Sequence, residues 1–449
     1  MQLVDAAILS LDIVTPSASP WTFACSTFGQ TGCATGCDPG TMRADPFPLF
    51  GAILNALHRG VSVRILTNGF GLPDCGTQGN LTLLTFLALN GAEVRYYATT
   101  TFVHAKWLAA DARDGSIPTN GSSSYGGKVA VSSVNWSRSS LSKNREAGAV
   151  LAGLGSAPAA AFMAAVFAAD FAAALPAPLN TSFYSAAQLD TIRDADPVPV
   201  VVPPPPHVPG GPSGCYVYNS SAALPLPDGS SLVAFASPDH SYAELTRQLN
   251  SATSTLEIYM CAPHPHPPTR PPKRPPAQTS PSLSGRYQID GEMCNFIESL
   301  ARTKPSLSIS LLLSPRIYDD CDCGAARACY ARLAAAGLSL RKSAADCFPY
   351  THNKIWIVDG TSVGWSTGNM SPSDFSPPAE PGGGAGGADV YPPYGEQGWT
   401  KINRDFSIYV TSADGEGNPL VQTFRALMQA DAAAGGAGPW SPSTDVQCG

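Results

Sequence analysis

The chain has 449 residues, of which 42 are Gly, 42 are Pro and only 14% are charged, and its formal net charge is -7. Such a length predicts about two or three domains, and abundant Pro and Gly with sparse charge predict ordered blocks separated by inserts. The acidic balance excludes a protein that coats duplex DNA through a broadly basic surface, but it leaves room for a narrow basic channel along a single strand. No run of about 20 apolar residues, the length a membrane-spanning helix needs, occurs in the chain.

In chain order, Leu9 to Thr15 reads as a first strand bounded by Pro16 and Pro20, followed by a Cys/Gly-rich loop from Cys25 to Gly40. A helix over 46–59 stops at Gly60, and Val61–Thr67 alternates as a strand. A helix over 80–90 and a strand over 93–97 lead to an apolar stretch at 102–111. A polar insert at 112–127, strands at 128–135 and 146–151, and an Ala-rich helix at 157–174 follow. Residues 197–213 are dominated by Pro and Val, which predicts an extended polyproline linker. Beyond it the order repeats: helix 239–252, strand 255–260, a Pro-rich basic insert at 262–284, helix 290–303, strand 307–313, helix 324–336 and strand 338–342. An apolar stretch at 350–359, a strand at 361–367, a Gly/Pro insert at 376–398, a strand at 405–411 and a helix at 416–432 complete it. The predicted organisation is an N-terminal half at 1–196, a linker at 197–213 and a C-terminal half at 214–449. Alternating strands and helices predict an α/β fold, with mostly parallel or mixed sheets flanked by helices.

The two apolar stretches carry one pattern. Phe102-Val-His-Ala-Lys-Trp-Leu-Ala-Ala-Asp111 and Tyr350-Thr-His-Asn-Lys-Ile-Trp-Ile-Val-Asp359 both fit His-x-Lys-x4-Asp. In an extended strand His104 shares a face with Lys106, and His352 with Lys354, while Asp111 and Asp359 fall on the opposite parity and face away from that chemistry. The repeat continues downstream. Val131-Ser-Ser-Val-Asn-Trp-Ser137 and then Asn144-Arg-Glu-Ala-Gly148 follow the first copy; Trp365-Ser-Thr-Gly-Asn-Met-Ser371 and then Asn403-Arg-Asp-Phe-Ser407 follow the second. A histidine can attack phosphorus or protonate a leaving oxygen. Lys106, Lys354, Asn135 and Asn369, with the hydroxyls of Ser133 and Thr367, are the groups expected to hold non-bridging oxygens and stabilise their charge. The set contains neither an acidic cluster for Mg²⁺ nor a His/Cys cage for Zn²⁺, so neither metal nor cofactor is expected at it. The helices closing each half also match, with Phe162, Phe167 and Asp170 against Phe424, Met428 and Asp431.

At these residues the sequence resembles the phospholipase D superfamily, whose signature is a doubled His-x-Lys-x4-Asp with a downstream Gly-Ser-x-Asn. Ser132 and Ser366 stand where that signature has glycine, and Thr367 where its second copy has serine. The resemblance implies two tandem pseudo-symmetric phospholipase D-like halves with the active site at their interface. It also implies that His104 is the nucleophile forming a phosphohistidine and His352 the general acid and then base. By the same resemblance an acid after each asparagine motif orients the histidine of the other half, so that Asp405 serves His104 and Glu146 serves His352. Ser-Ser-Val-Asn-Trp-Ser in the first half is similar to a segment of the lumenal phospholipase D-like exonucleases, whereas the second half does not follow them closely.

Twelve cysteines are many for a cytosolic enzyme. Cys321, Cys323 and Cys329 form a possible zinc cluster without a nearby His, and disulfides are the reading favoured over it. With the Asn-x-Ser/Thr triplets at Asn80, Asn120, Asn180 and Asn219, this points to a lumenal or secreted protein. Residues 1–14 read as the end of a helix running into strand and not as a secretory signal, so upstream residues are expected to precede them. Function narrows to three classes: a metal-independent phosphodiesterase on single-stranded nucleic acid or phospholipid, a phosphatidyl transferase of the same fold, and a non-catalytic phosphate-binding module. The loops expected to form the rim, 68–79, 112–127, 262–284 and 376–398, are rich in Gly, Ser, Pro and Asn. Such loops suit a strand-like phosphodiester better than a bilayer.

Overall fold

The computed structural model describes residues 2–16, 39–68, 83–97, 102–113, 127–194, 223–260, 291–343, 347–375, 403–412 and 418–448, apart from isolated positions within those spans. The Pro-rich linker, the basic insert, most of the 112–127 loop and the 376–398 insert lie outside the described residues. Two compact units emerge. The first takes residues from 1–142, 148–206 and 390–406, and the second from 143–147, 207–389 and 407–449. Each unit thus draws most of its chain from one half of the sequence and a short segment from the other.

In the first unit the elements run β1 (Ser10–Val14), α1 (Pro48–His58), β2 (Ser62–Asn68), α2 (Leu83–Leu89), β3 (Glu93–Tyr97), β4 (Trp107–Ala110), β5 (Lys128–Ser132), β6 (Gly148–Leu151) and α3 (Ala157–Ala173). Its seven-stranded sheet has the order β6-β5-β4-β1-β2-β3, ending on the short strand Leu175–Pro176. The strands β1, β2 and β3 are parallel, whereas β4, β5 and β6 are antiparallel to their neighbours. Local sequence explains the elements. Pro48 opens α1, where its missing N–H costs nothing. All five residues of β1 are buried, so it sits centrally, and Asp12 within it is neutralised by Arg64 at 2.8 Å and Arg113 at 2.7 Å. Leu11, Ile13, Phe50, Ile53, Leu54, Ile65, Phe86 and Leu87 form the core on one face.

The second unit runs β7 (Ser231–Ala236), α4 (Ser241–Asn250), β8 (Thr255–Met260), α5 (Gly291–Thr303), β9 (Ser308–Leu313), α6 (Cys323–Ala335), β10 (Ser339–Lys342), β11 (Lys354–Val358), β12 (Ser362–Ser366), β13 (Phe406–Thr411) and α7 (Pro419–Ala433). From Gly438–Pro439 its eight-stranded sheet continues β10-β9-β8-β11-β12-β13-β7. The segment β10-β9-β8-β11-β12 reproduces β3-β2-β1-β4-β5 of the first unit, so the repeat read in the motifs extends to topology. Strand β7 has no forerunner in the expected elements, because Ser231–Ala236 follows a Pro/Asp/Gly turn and is only partly buried. The short helix Ala186–Arg193 was likewise not expected; Ser185 and Gln188 form a reciprocal capping box at its start.

Cys294 on α5 is bonded to Cys329 on α6, and Cys347 is also in disulfide linkage. The bridge removes Cys329 from the zinc alternative. Trp107 and Trp136 are core residues: each is at most 4% exposed, with Trp107 against Phe167 and Phe406, and Trp136 against Phe47. None of the described helices is long and apolar enough to cross a membrane.

Candidate functional site

The motif histidines do not sit inside the strands as an extended reading predicts. His104, Ala105 and Lys106 precede β4, and His352 and Asn353 precede β11, whose first residue is Lys354. Each lysine turns back on its own histidine. Lys106 Nζ donates to the carbonyl of His104, and Lys354 Nζ donates to that of His352 at 3.0 Å. Each ammonium thereby folds back along its own backbone. Both lysines are buried, at 1% and 2% exposure, where a cation persists only with acceptors around it.

Two groups of candidate residues result. By unit, His104, Lys106, Ser133, Asn135 and Asp405 fall in the first, and His352, Lys354, Thr367, Asn369 and Glu146 in the second. His104 Nδ1 lies 3.0 Å from Asp405 Oδ1, and His352 Nδ1 lies 2.8 Å from Glu146 Oε2. Each histidine is therefore paired with the acid from the other half of the sequence and not with the acid of its own half. A carboxylate at Nδ1 fixes the ring and leaves Nε2 as the reactive nitrogen. Asp405 reaches its histidine through a short parallel pairing of Asn403–Arg404 with Phe102–Val103. Within it the N–H groups of His104 and Ala105 both donate to Arg404 O, at 3.0 and 2.9 Å. Glu146 is delivered by a bridge between Arg145 and Thr351, in which Arg145 N donates to Tyr350 O at 2.9 Å and His352 N donates to Arg145 O at 2.8 Å.

The asparagine turns are also built twice. Ser132 Oγ accepts from Val134 N at 3.3 Å, and Ser366 Oγ accepts from Gly368 N at 2.9 Å. Asn135 O then accepts from Ser137 N, and Asn369 O from Ser371 N, each at 2.8 Å. Serine in place of the signature glycine thus puts a hydroxyl to work closing the turn. Room for it comes from the opposing strand: a Cβ on Gly148 would lie 2.3 Å from Ser132 Cβ. In the second unit Ser407 takes the place of Gly148 and its hydroxyl bonds Ser366 Oγ at 2.9 Å. Ser133, Thr367 and Asn369 are fully buried, and Asp374 accepts from Asn369 N at 3.0 Å and Ser371 Oγ at 2.8 Å.

The motif aspartates are structural. Asp111 and Asp359 both have positive φ, at 53° and 50°. Asp111 accepts from the N–H groups of Ile8, Leu9 and Ser10, and Asp359 from those of Thr253, Ser254 and Thr255. Each carboxylate ties the end of its motif strand to the start of the central strand. Burial works against the charge on Asp359, but these N–H groups and the Thr253 hydroxyl outweigh it and hold the carboxyl well below its usual range.

Sequence reading assigned no role to the arginines between asparagine and acid. Arg145 Nη2 bonds Asp431 Oδ1 at 2.7 Å, and Arg404 is paired with Asp170 at 3.0 Å. The available signal was the arginine common to Asn144-Arg-Glu and Asn403-Arg-Asp, together with the aspartates matched between α3 and α7. Asn68 carried no signal: its side chain accepts from Val103 N at 2.7 Å and donates to Val103 O at 2.6 Å.

Residues 40–170 match the family model described as cardiolipin synthase, phospholipase D-like domain. Among solved structures the chain is similar to phosphatidylserine synthase from Haemophilus influenzae Rd KW20, at 10% identity and TM-score 0.53, over 99% of this chain and 85% of that one. Nuc, a phospholipase D family member from Salmonella typhimurium, matches 47% of this chain and 99% of its own at 13% identity and TM-score 0.31. Polyphosphate kinase from Porphyromonas gingivalis matches 95% of this chain and 47% of its own at 11% identity and TM-score 0.45. No curated protein sequence gives a significant match.

Proposed function

From the premise that the chain is phospholipase D-like, with the family's domain over 40–170 and the fold shared along its length, we propose that it is a metal-independent phosphodiesterase. The observation that carries this reading is the pair of buried histidine–carboxylate contacts, His104 with Asp405 and His352 with Glu146. In the proposed reaction His104 Nε2 attacks phosphorus and the bond from phosphorus to the leaving oxygen breaks. That oxygen takes a proton from His352 Nε2. Water then attacks the phosphohistidine, gives its proton to His352, and the P–N bond breaks to restore His104. Lys106, Lys354, Asn135, Asn369, Ser133 and Thr367 hold the non-bridging oxygens. The imidazoles supply both nucleophile and proton donor, so no step calls for a metal-bound water.

The substrate class we favour is a single-stranded nucleic acid, on the composition of the rim loops; hydrolysis or transfer on a phospholipid is the second reading. The abundance of cysteine supports a lumenal or secreted site of action. Parallel assays with a single-stranded oligonucleotide and with phosphatidylcholine vesicles, both in excess chelator, test the proposal. Oligonucleotide cleavage that survives chelation is expected. Choline release with intact oligonucleotide would move the enzyme to the second reading, and no turnover of either in chelator, with the fold retained, would refute the metal-independent mechanism.

A further inference from the structure

Each carboxylate that orients a histidine is carried by a very short piece of β pairing. On the N-terminal side of each acid the described backbone bonding is short: the two hydrogen bonds of the Arg145–Thr351 bridge before Glu146, and the two-residue pairing at Asn403–Arg404 before Asp405, with β6 starting at Gly148 and β13 at Phe406 beyond them. So few bonds specify register weakly, yet a slip of one residue reverses every side chain across the strand. Such a slip would put an arginine where the histidine needs its carboxylate. The arginine side chains hold the opposite direction. Arg145, 9% exposed, reaches Asp431 on α7 at 2.7 Å and lies 3.7 Å from the centre of the Phe348 ring. Arg404 engages both oxygens of Asp170 on α3, each at 3.0 Å. The arginine carbonyl accepts from the histidine's own N–H in both units, so the arginine is the pivot between helix and imidazole.

We propose that Arg145 and Arg404 are positioning residues: each, anchored to the aspartate of its unit's long helix, selects the register in which Glu146 meets His352 and Asp405 meets His104. The inference rests on the proposed histidine chemistry and deepens it. Because the two histidines have different tasks, the two anchors have different kinetic signatures. Loss of the Arg145 anchor cripples the proton relay at His352, so the covalent adduct on His104 forms from an aryl phosphodiester, whose leaving phenolate needs no proton, but breaks down slowly. Loss of the Arg404 anchor weakens the nucleophile, so the adduct forms slowly and does not accumulate.

The test uses the double replacements Arg145→Leu with Asp431→Leu, and Arg404→Leu with Asp170→Leu, which remove both charges and leave no buried ion unpaired. Both are expected to melt cooperatively and to lose on the order of 100-fold in kcat, as small misplacements of catalytic groups do, with KM falling in the first as its adduct accumulates and changing little in the second. Adduct should accumulate only in the first. Arg145→Lys, which retains a cation but not the planar fork, should recover part of kcat. Wild-type kcat per folded molecule, identical adduct behaviour in the two double variants, or failure of both to fold would each overturn the inference, the last because it would make the pairs pillars of stability and not register devices. A His352→Asn enzyme that forms no adduct from the same substrate would instead sink the proposed function, and the kcat comparison would still read the anchors.

Discussion

Behind His104, the residue that ends β2 is Asn68, whose amide grips both backbone groups of Val103; behind His352, the corresponding place after β9 is Ser314, which offers a single hydroxyl to Thr351 N at 3.3 Å. The second set makes up the difference with a buried polar chain. Ser343 Oγ lies 2.9 Å from Thr351 Oγ1, Thr351 Oγ1 lies 3.4 Å from the Tyr259 hydroxyl, and that hydroxyl donates to Asp431 Oδ2 at 2.8 Å, beside Arg145. Burial first, and then the charge of Asp431, push the Tyr259 phenol well above its ordinary value. Asp431 is itself pushed up by burial, against the lowering effect of Arg145. The first set has a simpler backing, Arg404 and Tyr97 on Asp170. The repeat keeps order and direction while the polar support behind each histidine diverges.

The sharpest way to break this comparison is to exchange the histidines for asparagine one at a time. His104→Asn is expected to abolish turnover of every substrate. His352→Asn should slow adduct formation by about 10²–10⁴-fold when the leaving group is an alkoxide, and far less when it is an aryl phenolate that needs no proton, while adduct breakdown is slow with both. The pre-steady-state release of leaving group on the two substrate types reads this directly; equal losses in that first step on both would erase the division of labour. A smaller effect is expected at the orienting acids. Asp405→Asn and Glu146→Gln should each lower kcat by roughly 100-fold with KM little changed, since they alter the hold on an imidazole and not contacts to substrate.

How much of this was legible in sequence follows from what each residue type reports. His-x-Lys-x4-Asp and its downstream series are local and duplicated, so His104, Lys106, His352 and Lys354 could be named, and strict parity already turned Asp111 and Asp359 away from the chemistry. The pairing of Asp405 with His104 and Glu146 with His352 came from the family resemblance, because no local pattern states that a segment crosses to the other unit. The histidines lie before the motif strands and not within them for a tertiary reason: their N–H groups pair with the arginine carbonyls of the crossing segments, and the lysines return to the histidine carbonyls. Asn68 was invisible because one asparagine at a strand end reads as the start of a turn. Arg145 and Arg404 were visible as a repeated letter, but their partners lie 286 and 234 residues away along the chain.

The difference between Asn68 and Ser314 gives a finer test on stability. Asn68→Ala leaves two buried backbone groups of Val103 without partners and should cost about 2–3 kcal/mol; Ser314→Ala removes one weak bond and should cost about 1 kcal/mol. Denaturant unfolding of both variants measures the gap, and equal costs would mean that the two histidine loops are braced alike.

The smallest effect expected is in acid. Because Asp359 has a folded pKa below its unfolded value, its contribution to stability is complete above the unfolded value of about 3.9 and is lost as pH falls toward the folded one. Asp359→Asn should therefore lower the melting temperature at pH 7 and flatten its decline between about pH 4 and pH 2. An unchanged slope in that window would remove the aspartate from the account of acid stability.

The central claim, that the two histidines play unequal parts in one covalent mechanism, is tested most directly by trapping. His352→Asn enzyme is mixed with an aryl phosphodiester, quenched under conditions that preserve phosphoramidates, digested and mapped by mass spectrometry. A phosphoryl adduct is predicted on the peptide containing His104 in the His352→Asn enzyme, and no adduct in the converse His104→Asn enzyme. An adduct found on His352 in the His104→Asn enzyme, with none on His104 in the other, would contradict it.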